Sequence, residues 1–225
     1  MKNIILQHYT GEMGELEHLS VANISRYADK CGADYKLVLG NVFSPELSPE
    51  FQKLFMLDSC WDNYDNVAMF DIDMFERNGQ TENVFDVPGV GIYDDVQEVL
   101  HKGIYSNFPF MSSMETPYWG GAIYKMDKKM RKRMRRPLRS VVTVDTLKKF
   151  SRAYFDEGSM HHLAFLSHEE FSILPDGYKW CHCSFRPGIE DAAMIHVRNK
   201  VGLTGPKRPK IENYKSLVNK GLIEE

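Results

Sequence analysis

This chain has little of what marks several common protein classes. It carries only four cysteines in 225 residues, Cys31, Cys60, Cys181 and Cys183. Their spacing matches no zinc framework and suits a reduced, intracellular setting. Trp180-Cys181-His182-Cys183 places one His between two Cys, but a fourth ligand is missing nearby, so packing around Trp180 is the expectation. No apolar run approaches the ~18–20 residues of a transmembrane helix. Ile4-Ile5-Leu6 is too short for a signal peptide. The net charge is −3, which excludes a global basic field for nucleic acid or membrane. A Gly-rich phosphate loop, internal repeats and low-complexity segments are all lacking. The expected location is therefore the cytoplasm.

What is present is enough for a folded core, with 43% hydrophobic and 12% aromatic residues. The length suits one domain or two fused lobes. The most informative stretch is Asn66 to Phe75, NVAMFDIDMF. Val67 to Phe70 reads as a strand buried on both faces. It ends in Asp71 and Asp73, and residues two apart on a strand point to the same side. Two acids there would project into the crevice where open α/β sheets bind ligands. Hard oxygen pairs suit Mg²⁺ or Mn²⁺, which can bridge to a diphosphate. For the tripeptide alone, an acidic strand end capping a helix remains an alternative.

The flanking pattern is strand, helix, strand, helix, strand. Asn3 to His8 is a strand, Gly14 to Lys30 a helix stopped by Gly32, and Tyr35 to Leu39 a second strand. Pro49 then opens a helix through Trp61 that leads into the Asp-x-Asp strand. This order predicts an α/β fold with a mostly parallel sheet. Further on, short strands are expected near Val90 to Tyr93 and Gly121 to Tyr124. Helices are expected at Asp127 to Leu138, Val144 to Phe155, Ser159 to Leu166 and Ile211 to Leu222, with Ala192 to Val197 as a last core strand. His161, His162 and His168 read as surface residues.

Four more features follow in order. Trp119-Gly120-Gly121 precedes a strand; glycine lets backbone approach a ligand, and Trp offers an apolar face to a sugar ring. Asp156-Glu157 lies between two helical patterns. Leu174-Pro175-Asp176-Gly177-Tyr178 is a turn. Ile195-His196 ends a buried strand and is followed by Arg198 and Lys200.

In this order the motifs resemble the GT-A fold of nucleotide-sugar glycosyltransferases. The chain is most similar to the glycogenin and bacterial galactosyltransferase-like group and the small viral enzymes related to it. The resemblance covers about residues 1 to 205. It implies a Rossmann-like, mixed, mostly parallel sheet flanked by helices. It also implies a nucleotide-binding half over about 1–100, an acceptor half over about 101–205 and a basic tail over 206–225. By the same resemblance Asp71, Asp73 and His196 would hold Mn²⁺, with Mg²⁺ as runner-up, against the diphosphate of a UDP-sugar. His8, Tyr9, Thr10, Lys53, Asp71 and Ile72 would meet the nucleotide. Trp119, Gly120, Gly121 and Lys200 would meet sugar or acceptor. Asp156 and Glu157 would do the catalytic work. The family's late motif runs His, then Gly, then Lys-Pro-Trp, whereas His196 here is followed by Val-Arg-Asn-Lys. That leaves open whether Lys200 replaces the lysine that contacts the diphosphate. The resemblance leans to retention of the anomeric configuration.

Lys125 to Arg139, KMDKKMRKRMRRPLR, is strongly basic, with Met126, Met130, Met134 and Leu138 recurring every four residues. Two readings stand: a stripe packed on the core with solvated charges, or a peripheral surface for a membrane carrying a lipid-linked acceptor, or for an anionic glycan. The overall charge and the lack of interleaved aromatics count against nucleic acid. Other functional classes remain open: a nucleotidyltransferase or phosphohydrolase, a glycosyltransferase acting on nucleic acid, or a binding module with structural acids.

Overall fold

Ile4 to Leu6 and Val67 to Phe70 are apolar at every position because both faces of their sheet are covered. The computed structural model describes residues 1–86, 108, 110, 120–152, 155–169, 180–201 and 205–224. Strands β1 (Asn3–Tyr9), β2 (Asp34–Leu39) and β3 (Asn66–Phe70) are joined by helix α1 (Glu15–Lys30) and by 3₁₀ turns. With β5 (Ile123–Asp127) they form a sheet in the order β2-β1-β3-β5. β1 is parallel to β2 and β3, and β5 is antiparallel to β3. The sheet is thus mixed and mostly parallel, as expected. Ile4, Leu6, Val67 and Met69 join one apolar layer, while Ile5, Ala68 and Phe70 join the other. This is the period-two division of a strand buried on both sides.

The first layer is closed by the segment Pro49–Leu57 and by helices α2 (Lys128–Ser140) and α4 (Asp156–Ser167), with the short α3 (Val144–Lys148) between them. The second is closed by α1 and by β6 (Cys181–Cys183). A second sheet, β4-β7-β6, contains β4 (Met74–Glu76) and β7 (Met194–His196). Helix α5 (Lys210–Asn219) is held under it by Tyr214 and Leu217, the Tyr214 ring lying 4.8 Å from that of Phe75. Among the described residues, no helix is long and apolar enough to cross a membrane.

The helix expected from Pro49 to Trp61 is instead two 3₁₀ turns, Pro49–Leu57 and Ser59–Trp61. Asp58 between them is extended, and its carboxylate accepts the Cys60 N–H at 2.8 Å, which breaks the helical run. The helix expected over Val144 to Phe155 is α3 followed by a 3₁₀ turn to Arg152. β4 and β6 were not expected, since three residues are too few to show a period. The strand expected near Val90 to Tyr93 and the turn at Leu174 to Tyr178 lie outside the described residues.

Two expectations about charge are corrected. His161 is buried, and His162 is half-buried with its ring 4.9 Å from that of Phe110; only His168 is exposed. α2 does bury Met130 and Met134, but its arginines are not all solvated. Arg131 is fully buried and donates to the carbonyls of Trp61 and Tyr64 at 3.2 and 2.7 Å. Arg135 grips Asp62 with two bonds of 2.9 and 2.6 Å and donates to Leu57 O. Lys125 is buried against Val84 O at 3.0 Å. The 3₁₀ turns leave unpaired carbonyls, and a guanidinium with five donors satisfies several at once. The basic run is therefore partly structural, and its exposed cations are a smaller set that includes Lys129, Lys132, Arg136 and Arg139.

Arg131→Met is expected to lower unfolding stability by roughly 2–4 kcal/mol, because buried carbonyls lose their charged donor. Lys132→Met should stay within about 0.5 kcal/mol. Urea titration of both variants checks the pair; equal small losses would return Arg131 to the solvated reading.

Candidate active site

The acids of the Asp-x-Asp do not sit on a strand. β3 ends at Phe70 and β4 begins at Met74, so Asp71-Ile72-Asp73 is the turn that carries the chain from the first sheet to the second. The turn is closed by Met74 N–H donating to Asp71 O at 3.3 Å. Its carboxylates converge through this turn rather than through strand alternation. Asp71 N–H donates to Ala122 O at 2.8 Å, and Val197 N–H to Asp73 O at 2.9 Å, so both ends are pinned to neighbouring elements. Beneath them the buried Gln7 amide donates to Asp71 O and to Ser20 Oγ, each at 3.0 Å. Ser20 in turn donates to Met74 O at 2.8 Å. A polar amide directly after the apolar run Ile4-Ile5-Leu6 is the one sequence signal for this support.

His196 arrives from β7, where it is paired with Met74 on one side and Cys183 on the other. Its Nε2 lies 3.0 Å from Asp73 Oδ1 and 3.6 Å from Asp71 Oδ2. Burial opposes its charge, but Asp73 and Cys183 outweigh it and raise the imidazole to about 9. Burial would likewise raise the Asp73 carboxyl, yet His196 and Lys210 hold it well below the usual carboxylate range. Lys210, the first residue of α5, touches Asp73 Oδ2. Sequence reasoning missed it, because it lies in a Gly/Pro/Lys-rich tail with no period to follow.

On the other side of Asp71 stands Lys53. Its ammonium contacts Asp71 Oδ1, lies 3.1 Å from Asp156 Oδ2 and donates to Gly121 O at 2.9 Å. Burial works against its charge, but the two carboxylates outweigh burial and raise its pKa. Asp156 also accepts the Tyr124 hydroxyl at 2.9 Å. Burial, with Asp71 adding to it, pushes Asp156 up to about 6 against the pull of Lys53. Glu157 is half-buried and accepts the Gly121 N–H at 2.7 Å.

The structure thus brings together Lys53, Asp71, Asp73, Gly121, Asp156, Glu157 and His196. Ile72 is half-buried within the turn. His8 caps the end of β1, with Nε2 2.7 Å from Gly40 O and 3.4 Å from Thr10 Oγ1; burial lowers its pKa, and Lys53 adds to the shift. Tyr9 beside it is half-buried. Lys200 does not join the acids: its Nζ lies 5.6 Å from the Phe185 ring. Gly120 is half-buried, and Trp119 lies outside the described residues. His182 and the two cysteines beside it form β6, with Cys183 supporting His196.

Asp71, Asp73 and His196 each offer one ligand atom, all within 4.8 Å of one another. Two carboxylates and an imidazole fit a hard or borderline divalent ion. Lys53, Lys210 and the charged imidazole already neutralise these carboxylates, so a divalent ion would bind here by displacing Lys210 and the His196 proton.

No family model matches the chain, and no curated protein matches it. Solved structures do. One is the crystal structure of a glycosyltransferase involved in the glycosylation of the major capsid of PBCV-1. It is 9% identical with a TM-score of 0.57, over 97% of this chain and 100% of that one. Another is mouse xyloside xylosyltransferase 1 in its apo form, 10% identical with a TM-score of 0.51, over 87% of this chain and 97% of that one. The fold is therefore that of GT-A-like glycosyltransferases.

Calorimetry with Mn²⁺ tests the acid pair and Lys210 together. Asp73→Ala should weaken any Mn²⁺ binding by the group, because one of its three ligand atoms is lost. Lys210→Met should tighten Mn²⁺ binding alone by up to about fivefold, the ceiling of ~1 kcal/mol for a partly exposed ion pair. Unchanged Mn²⁺ affinity in both variants would remove the metal role from this turn.

At Gly121 a Cβ would sit 2.6 Å from Asp156 Oδ2, 2.6 Å from Tyr124 Oη and 2.9 Å from Glu157 Cγ. The glycine thus admits the acid pair to the backbone. Gly121→Ala should cost about 1–3 kcal/mol of stability by overpacking and should also reduce turnover per folded molecule. A thermal melt and rate matching wild type would show that the site has room to spare.

Proposed function

We propose that the protein is a metal-dependent glycosyltransferase that moves a sugar from a UDP-sugar to a hydroxyl of a glycan. The observation that carries this reading is the Asp71, Asp73 and His196 group at the sheet-to-sheet turn of a GT-A-like fold. Mn²⁺ suits the mixed donor set best, with Mg²⁺ second. A divalent ion held there would act as a Lewis acid on the leaving diphosphate.

In this reading the chain's own groups divide the remaining work. His8, Tyr9 and Thr10 at the end of β1 meet the nucleoside, beside Ile72. Lys53 neutralises charge near Asp71 and orients it for its task. Asp156 is a positioning residue: buried, it aligns Lys53 and Tyr124. Glu157, more open, is the acid placed near the acceptor hydroxyl. Lys210 is positioned to exchange Asp73 for an incoming phosphate oxygen. A phosphohydrolase or nucleotidyltransferase working with two metals has less support, since the described residues give one group of three ligands.

The test is UDP release from a panel of UDP-sugars without acceptor. Wild type with Mn²⁺ should release UDP slowly, and chelation should stop it. Asp73→Ala should lose more than about 100-fold, the upper figure for residues that merely support a ligand. Glu157→Gln should keep UDP–Mn²⁺ binding and lose roughly 10²-fold or more in transfer, the scale of acid–base assistance. Release that is indifferent to metal and to Asp73→Ala would overturn the proposal.

A further inference from the structure

A cleft of about 590 Å³ opens between the turn after β6, the stretch after β7 and helix α5. Among the described residues its walls include the cations Arg186, Lys200, Arg208 and Lys220 and the acid Glu190. The whole chain is net negative, so this excess of positive charge is local. Arg208 is held in place by bonds to Asn213 Oδ1 at 2.6 Å and Glu212 O at 3.2 Å, and it lies 3.9 Å from the Glu212 carboxylate. Among the described residues, Lys200 and Lys220 make no ion pair with an acid. Phe185 forms an aromatic wall, with Lys200 Nζ 5.6 Å and the Arg186 guanidinium 6.0 Å from its ring centre.

The cleft adjoins the metal-ligand group. Cys183 pairs with His196 in the sheet, and Phe185 follows two residues later, at most ~7 Å along the chain. Ser184 N–H donates to His196 O at 2.9 Å, and Arg198 N–H donates to Ser184 Oγ at 2.9 Å. Arg198 bridges the two regions, with its guanidinium 3.4 Å from His196 Nε2. Asn213 Nδ2 ties α5 to the other wall through Arg198 O at 2.6 Å and Lys200 O at 3.1 Å. The cleft and the acids are therefore neighbours in the fold, joined through β6, β7 and Arg198.

We infer that this cleft binds the acceptor, and that the acceptor is an anionic saccharide. The inference rests on the glycosyltransferase reading for the word acceptor, but the binding claim stands on the cleft itself. An aromatic face suits the apolar side of a pyranose. Lysine and arginine around it suit carboxylate, sulfate or phosphate substituents through charge-assisted bonds. In this reading Lys200, which the resemblance assigns to sugar or acceptor, meets the acceptor in this cleft rather than the diphosphate.

The experiment titrates the full chain with an oligogalacturonate, a heparin-derived oligosaccharide, a sugar phosphate and a neutral cello-oligosaccharide. The first three separate carboxylate, sulfate and phosphate as the source of charge. At least one should bind wild type, more weakly as salt rises, while the neutral oligosaccharide should not. Lys200→Ala/Lys220→Ala should weaken that binding by about tenfold or more, as expected for losing two charged contacts, with UDP–Mn²⁺ binding retained. Equal binding of the neutral sugar, no binding of any anionic one, or an unaltered affinity in the double variant would overturn the inference. Lysine-dependent binding of an anionic sugar by a wild type that fails to bind UDP–Mn²⁺ would uphold the cleft and sink the donor reading instead.

Discussion

Everything in the candidate site depends on a row of charges that alternate in sign: Asp156, Lys53, Asp71, His196, Asp73 and Lys210. Each carboxylate between two cations is relieved of the repulsion that two neighbouring acids would otherwise impose. Each cation is buried or half-buried, and would be costly there without its acids. The row is self-consistent only when all six are in place. A group of this kind contributes little net stability, because desolvation and attraction nearly cancel. Its effect is to hold two acids ionised and close together.

The six residues come from five different parts of the chain: the first 3₁₀ segment, the turn between β3 and β4, the start of α4, the end of β7 and the start of α5. The fold solves this assembly problem by making the Asp-x-Asp turn the hinge between two sheets. β3 delivers the acids from the first sheet, and β4 carries the chain directly beside His196 in the second. Gln7 and Ser20 fasten the turn from below with buried hydrogen bonds. A turn held by backbone bonds to Ala122 and Val197 has little freedom to splay its carboxylates apart.

The similarity to solved glycosyltransferases persists at 9% and 10% identity. Physically this is reasonable, because sheet and layer demand only apolar residues of suitable size at alternate positions. The arginines of α2 illustrate how local solutions fill the same frame. Arg131 and Arg135 serve as donors to the open carbonyls of the 3₁₀ turns, a task unrelated to surface charge. A partner surface inferred from their charges alone would have been misplaced.

The central sheet, the helices beside it and the acids at its end are legible in the order of residues. Continuous apolar runs such as Val67 to Phe70 and the 3.6-residue period of α1 are local signals, and local signals survive in one dimension. The sequence also singled out Asp71, Asp73, Asp156, Glu157 and His196, through motif order and resemblance. That the acids meet in a turn, that Lys53 and Lys210 stand on either side of them, and that Gly121 makes room for Asp156 and Glu157 emerges only in the folded chain. It also showed that His161 and Arg131 are inside, while Lys200 belongs to a neighbouring cleft. These facts depend on contacts between residues as far apart as 53 and 156 or 73 and 210. No periodicity or composition encodes such pairings; they exist only once the apolar layers have brought the elements together.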